Sequence, residues 1–394
     1  MITDNGNKKF GVAVLGATGS IGRSTQAELL DFKDLFDVIG VVGKESIIPL
    51  GQCAKSLNAK YCITTNENNL EALKLATPSN VICQAGMSAV IDLVTSSEVD
   101  IVVCAIIGTA GLAPVMAALK AGKKIALASK EVLALAGQLV MEESRRHPEA
   151  GIIPVDSEHS GLFQCLQGRR SDEIEKLWIT ASGGAFRHWT KEEIAKATPE
   201  AALNHPTWKM GKKITVDSAS LMNKALEMIE ASWLFGVPGD KIDAVINPQS
   251  IVHALAELSD GSFIAQMSVP DMRLAIRYAL TYPNRLPGTV GKTSLSKLAT
   301  LTFEEVDYNR FPALNLARTA LKASGSMPAV LNASNEVAVE SFLAGKISFP
   351  QIWQVVEESM NQHNVIPQRA IEDMIEVDKV CRIKANEIIA KLTK

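Results

Sequence analysis

The sequence predicts an α/β protein in three parts: a doubly wound domain over residues 1–150, a second α/β domain over 151–282 and a helical bundle at the C-terminus over 308–394. Three observations predict it. The chain has 394 residues, too long for one hydrophobic core. Its first 150 residues alternate short apolar runs with amphipathic stretches, the texture of βαβ units. Beyond residue 307 apolar residues recur at three and four, the period of helices packed in a bundle.

Taken in order, Phe10–Leu15 reads as a strand and Ile21–Phe32 as a helix. Val38–Val42, Ala59–Thr64 and Asn80–Cys83 follow as short strands. Ile101–Ile107 is apolar throughout, as expected of a strand covered on both faces. After the helix-like Gly111–Ala121, Lys123–Ala128 repeats that pattern. Ile152–Val155, Trp178–Ala181, Ala244–Ile246 and Ser262–Val269 read as strands of an antiparallel or mixed sheet. Pro283, Pro287 and Gly288 mark a linker over 283–307. Ala313–Ala323, Asn332–Ala344, Gln351–His363 and Ile371–Lys391 carry the helical period.

Composition narrows the function. Apolar residues make up 47%, enough for sizeable cores, and the formal charge of −3 lacks the basic excess that nucleic-acid binding needs. No apolar run approaches the roughly 20 residues that span a bilayer. Met1–Phe10 is polar, without a signal-peptide core, so a cytoplasmic protein is expected. The cysteines Cys53, Cys62, Cys83, Cys104, Cys165 and Cys381 form no C-x-x-C pair and read as reduced thiols.

Gly16-Ala17-Thr18-Gly19-Ser20-Ile21-Gly22 lies between the first strand and the first helix. Glycines there allow a tight turn and close approach of a pyrophosphate to the N–H groups of the helix start. The segment reads as a Rossmann-like dinucleotide loop, the alternative being a glycine-rich turn in a flavodoxin-like domain without ligand. At the end of the second strand, in Val42-Gly43-Lys44-Glu45, Lys44 suits the 2′-phosphate of NADPH and Glu45 opposes it unless it points away.

Asp156 and Glu158, in Pro154-Val-Asp-Ser-Glu-His, share one side of an extended segment. Their repulsion would be relieved by an oxygen-ligated Mg²⁺ or Mn²⁺, although such a pair is also common at an exposed strand end. In Val216-Asp-Ser-Ala-Ser-Leu-Met-Asn-Lys-Ala-Leu-Glu227, Ser218 or Ser220 is expected to start a helix. Asn223, Lys224 and Glu227 then lie near one face, where they could hold hydroxyls, an oxyanion and a metal, or form only a surface pair. Ser182-Gly183-Gly184 follows a strand, and its amides could hold a phosphate. Residues 204–211, with His205, Pro206, Trp208 and Gly211, read as a lid. The residues alone leave three classes open: this metal-assisted chemistry, a plain sugar-phosphate dehydrogenase, or a nucleotide sensor.

These motifs, with Asn247-Pro-Gln-Ser-Ile-Val-His253, Pro270-Asp-Met-Arg273 and Pro328-Ala-Val-Leu-Asn-Ala-Ser-Asn-Glu-Val-Ala338, occur in the order seen in the 1-deoxy-D-xylulose 5-phosphate reductoisomerases. The chain resembles that family over essentially its whole length. The resemblance implies NADPH- and metal-dependent rearrangement, by retro-aldol cleavage and re-addition, then reduction to 2-C-methyl-D-erythritol 4-phosphate in isoprenoid synthesis. It implies Asp156, Glu158 and Glu227 as metal ligands, and Lys224 and His205 beside them in catalysis. Lys130, Ser157, Ser182, His205, Trp208, Ser218, Asn223 and Lys224 would meet the sugar phosphate, together with Glu158 and Glu227. Thr18, Gly19, Ser20, Ile21, Gly43, Lys44, Glu131 and Gly211 would meet the cofactor. A homodimer is expected. Glu45 and Ser129 stand where the family usually has Asn, Ala185 where it has Pro, and Ala225 where Gly is common.

Overall fold

The computed structural model describes residues 9–148, 150–208 and 210–393. The polar segment 1–8 and Lys209 of the lid lie outside them.

The chain divides into two compact units. One takes the residues up to Val132, with Val140–Ser160 and Asp271–Gly291; the other takes Leu133–Leu139, Gly161–Pro270 and Lys292–Lys394. This differs from a division at 150 and 282. Helix Met272–Thr281 packs on helix Ser20–Asp31 in the first unit, where Arg277 forks onto Glu28 at 2.7 and 2.9 Å. Both side chains are buried, and Asp271 caps the helix by accepting from the Arg273 amide. At Gly288 an added Cβ would lie 1.9 Å from the Arg277 guanidinium, so a side chain there would have to push Arg277 off Glu28.

The first unit holds seven strands: β1 (Phe10–Leu15), β2 (Phe36–Gly43), β3 (Tyr61–Thr64), β4 (Ile82–Ala85), β5 (Ile101–Cys104), β6 (Lys124–Leu127) and β7 (Ile152–Pro154). All pair in parallel, in the order β4-β3-β2-β1-β5-β6-β7. Val12 to Leu15 and Val102 to Cys104 are at most 1% exposed, which explains their unbroken apolar runs. The strand order reverses direction between β1 and β5. In such sheets the crevice at the carboxyl ends of the strands at this switch point is where ligands bind.

The second unit has a mixed sheet of β8 (Ile174–Ala181), β9 (Ile242–Ile246), β10 (Val252–Leu258) and β11 (Phe263–Met267), in the order β11-β10-β8-β9. β8 and β9 are parallel; β10 is antiparallel to both its neighbours. Asn247 explains the motif that follows β9. Its amide oxygen accepts from the Ile251 and Val252 backbone, and its Nδ2 donates to the Thr302 carbonyl.

Helices Ala313–Ala323, Gln351–Asn361 and Ile371–Leu392 surround the buried helix Met327–Leu343. An aromatic cluster fills one end, with Phe186 against Phe349 at 4.8 Å and Phe349 against Trp353 at 5.3 Å. Among the described residues no helix is long and apolar enough to cross a membrane.

Candidate active site

In the first unit the loop after β1 sits at the switch point. Gly16 adopts φ +82°, and a Cβ on it would meet the Ala105 carbonyl at 2.3 Å. A Cβ on Gly22 would meet the Gly16 carbonyl at 2.3 Å, so glycine is required for the helix to approach the strand. Both the Gly16 and Ala17 amides donate to the Val42 carbonyl at 2.9 Å, locking the loop to β2. No side chain caps the helix that starts at Ser20. Thr18, Gly19, Ser20 and Ile21 therefore present the open N-terminus of a helix, the place for an anion. At the end of β2, Gly43 is buried and Lys44 exposed. Ser129 donates to the Ile106 carbonyl.

The carboxylates of the same unit lie beyond β7. The strand ends at Pro154 and helix Ser157–Cys165 begins three residues later, so Asp156 and Glu158 do not share an extended segment as expected. The turn into the helix brings them together instead, with oxygens within 4.8 Å of each other. Lys130 pairs with Asp156 at 2.6 Å, and both are largely buried. Ser157 donates to Glu158 at 2.5 Å. Glu131 is buried at the start of the helix that carries Lys130. Two nearby carboxylates form an all-oxygen donor set, which fits Mg²⁺ or Mn²⁺.

In the second unit His205 joins two loops. Its Nδ1 accepts from the Thr207 and Trp208 amides at 3.1 and 2.9 Å. Nδ1 therefore carries no proton, and the Nε2–H faces the hydroxyls of Ser182 at 3.0 Å and Ser218 at 3.1 Å. Burial lowers the His205 pKa and favours this neutral form. Gly184, at φ +66°, lies where a Cβ would be 2.5 Å from the Ser218 carbonyl, so the Ser182 turn and the Ser218 helix touch backbone to backbone.

Ser218 and Ser220 do not start a helix. They end helix Lys212–Ser220, whose N-cap is Gly211. Leu221, at φ +58°, breaks it, and helix Met222–Phe235 begins at the next residue. That break places Asn223, Lys224 and Glu227 on the first turns of the new helix. The Asn223 amide donates to Glu227 Oε1 and the Lys224 ammonium to Glu227 Oε2.

Sequence reasoning gave no role to Asp217 or Asn335. Asp217, 1% exposed, pairs with Lys213 at 2.9 Å and accepts from the buried Asn335 amide at 2.9 Å. Both lie inside motifs that the family resemblance rests on; what the spacing could not supply was the contact between segments 118 residues apart.

The family described as 1-deoxy-D-xylulose 5-phosphate reductoisomerase matches residues 12–137, and its C-terminal domains match 152–235 and 267–384. A reductoisomerase of this name from Pelotomaculum thermopropionicum is 46% identical over 97% of this chain and 99% of its own. One from Desulforamulus reducens is 44% identical over 96% and 98%. The chain belongs to the 1-deoxy-D-xylulose 5-phosphate reductoisomerase family. Among solved reductoisomerases, the Zymomonas mobilis enzyme in complex with NADPH has a TM-score of 0.91 at 39% identity, covering 97% of this chain and 99% of that one. A complex with NADPH, fosmidomycin and magnesium has a TM-score of 0.91 at 36% identity, covering 98% and 99%.

Proposed function

We propose that the protein is an NADPH-dependent reductoisomerase that, with Mg²⁺ or Mn²⁺, converts 1-deoxy-D-xylulose 5-phosphate into 2-C-methyl-D-erythritol 4-phosphate for isoprenoid synthesis. Family membership along nearly the whole chain carries this reading. The clustering of Asp156 with Glu158, and of Ser182 with His205 and Ser218, supports it.

Asp156, Glu158 and Glu227 would hold the divalent cation. Bound there, the cation supplies Lewis-acid polarisation of the ketone and NADPH supplies the hydride. Lys130 fixes the position of the Asp156 carboxylate by pairing with it. Lys224 brings positive charge and a mobile proton to the face that carries Glu227. Ser182, Ser218 and Asn223 donate to the substrate phosphate and hydroxyls, and the Nε2–H of His205 orients the two serine hydroxyls. Fixing these remote groups restricts the geometry of the reacting carbons. Trp208, held through its amide by His205, covers the substrate and excludes water when 204–211 closes. Thr18, Gly19, Ser20 and Ile21 take the pyrophosphate, Gly43 and Lys44 the 2′-phosphate, and Glu131 and Gly211 the nicotinamide half.

The protein would act as a cytoplasmic homodimer on a small sugar phosphate, independent of nucleic acid or membrane. Its six free thiols suit a reducing compartment. Sedimentation velocity checks the dimer, which is overturned by a single species at the monomer mass.

The test of the activity is loss of NADPH absorbance with 1-deoxy-D-xylulose 5-phosphate, with Mn²⁺ and then with EDTA. Loss that stops with EDTA and that NADH does not replace is expected. No loss with either nucleotide, in a folded protein, sinks the reading and favours a nucleotide sensor.

A further inference from the structure

We infer that Glu45 is a restrained specificity element. Asn66 and Asn69 hold its carboxylate, so that the turn after β2 accepts a 2′-phosphate despite carrying an acid. The inference rests on the proposed use of NADPH.

An acidic residue at the end of the second strand of a dinucleotide-binding fold ordinarily accepts from the ribose 2′-hydroxyl. It thereby favours NADH and repels the extra phosphate of NADPH. Glu45 stands two residues beyond Gly43, the last residue of β2, and next to Lys44. A free carboxylate there would compete with the function of Lys44.

The carboxylate is not free. Asn66 Nδ2 donates to both its oxygens at 3.2 Å, and Asn69 Nδ2 donates to Oε2 at 3.1 Å. Both asparagines lie just after β3, the neighbour of β2 in the sheet. The backbone of the turn is fixed from the same side. Thr64 Oγ1 donates to the Lys44 carbonyl at 2.9 Å, Asn69 Nδ2 to that carbonyl at 3.2 Å, and the Thr65 amide to the Gly43 carbonyl at 2.9 Å. Asn66 is itself positioned, its Oδ1 accepting from the Asn68 amide at 3.2 Å. The lysine and the acid are therefore separated in role. Both side chains are exposed, but each carboxylate oxygen of Glu45 already accepts from an asparagine amide, with which a ribose hydroxyl would have to compete.

The effect belongs to selectivity, not to the chemistry of the reaction, so binding alone tests it. Dissociation constants for NADPH and for NADH are measured on the full chain by calorimetry. The proteins compared are wild type, Asn69→Ala, the double variant Asn66→Ala/Asn69→Ala, and the triple variant that adds Glu45→Gln. In the double variant the freed carboxylate should lower the NADPH-over-NADH preference about tenfold, the size of one charge-assisted hydrogen bond. Asn69→Ala, which leaves the Asn66 contact with Asn68 in place, should shift it less and in the same direction. Adding Glu45→Gln should restore the preference, because the charge is what the asparagines restrain. An unchanged ratio in the double variant overturns the inference alone, and so does a triple variant as unselective as the double. A wild type that binds neither nucleotide, or that prefers NADH, overturns the NADPH reading and this inference together.

Discussion

At the scale of single residues, the site depends on which atom carries which proton. His205 has one ring nitrogen committed to two backbone amides and the other to two serine hydroxyls. Protonating Nδ1 would turn an acceptor into a third donor facing two N–H groups. Because burial depresses its pKa, the folded state binds fewer protons here than the unfolded state as pH falls through the ordinary histidine range. The stability this residue contributes is therefore present above about pH 6.5 and declines below it. Hydrogen exchange at Thr207 and Trp208, corrected for the intrinsic rate, should accelerate as pH falls. A pH-independent corrected rate would show that the imidazole does not hold this loop. Glu227 takes hydrogen bonds from both Asn223 and Lys224. Glu227→Gln keeps the shape and removes the charge a cation needs. Turnover should fall by several orders of magnitude while NADPH affinity holds, and turnover within tenfold of wild type at saturating Mg²⁺ would exclude Glu227 as a ligand. Lys44→Ala should raise the KM for NADPH far more than it lowers kcat, since the 2′-phosphate is remote from the hydride. Steady-state kinetics with equal KM in both proteins would separate Lys44 from the phosphate.

At the scale of elements, the C-terminal bundle positions the serines. Trp353 Nε1 donates to the Ser220 carbonyl at 3.1 Å, and Asn335 donates to Asp217 at 2.9 Å. Both contacts end on the helix that carries Ser218. Asn335→Ala takes one donor from the buried Asp217 carboxylate and leaves Lys213 at 2.9 Å. It should cost about 1–3 kcal/mol in a denaturant midpoint and raise the substrate KM more than it lowers kcat. An Asn335→Ala protein with the wild-type midpoint would remove the contact from the account of stability. The elements also show where pattern reading fails. Val252–Leu258, as Val-His-Ala-Leu-Ala-Glu-Leu, carries residues that suit a helix equally well. It is a strand because β8 and β11 pair with both its edges.

At the scale of the whole molecule, neither compact unit is continuous in sequence. Helix Met272–Thr281 returns to the first unit through the buried pair of Arg277 and Glu28. Arg277→Met leaves Glu28 charged without that partner, at about 3–5 kcal/mol, and should lower the melting temperature sharply. Adding Glu28→Leu should recover most of the loss, because two apolar groups replace an ion pair that costs desolvation. A double variant as unstable as the single one would place the damage in packing and not in the stranded charge.

Features under the control of near neighbours are legible in the order of residues. The glycine loop, the apolar runs of β1 and β5 and the bundle helices are written in local spacing, because turn geometry and hydrophobic period act over a few residues. The residue types of the site were legible for the same reason: Asp156, Glu158, Asn223, Lys224 and Glu227 stand within short motifs. Tertiary structure alone decided the rest. It turned Asp156 and Glu158 together at a helix entry, broke the chain at Leu221, paired Asn335 with Asp217, and drew Glu45 onto Asn66 and Asn69. Each depends on a contact or a backbone conformation imposed by packing. Hydrogen bonds and buried charges are satisfied by whatever the fold brings near, and distance along the chain does not encode that.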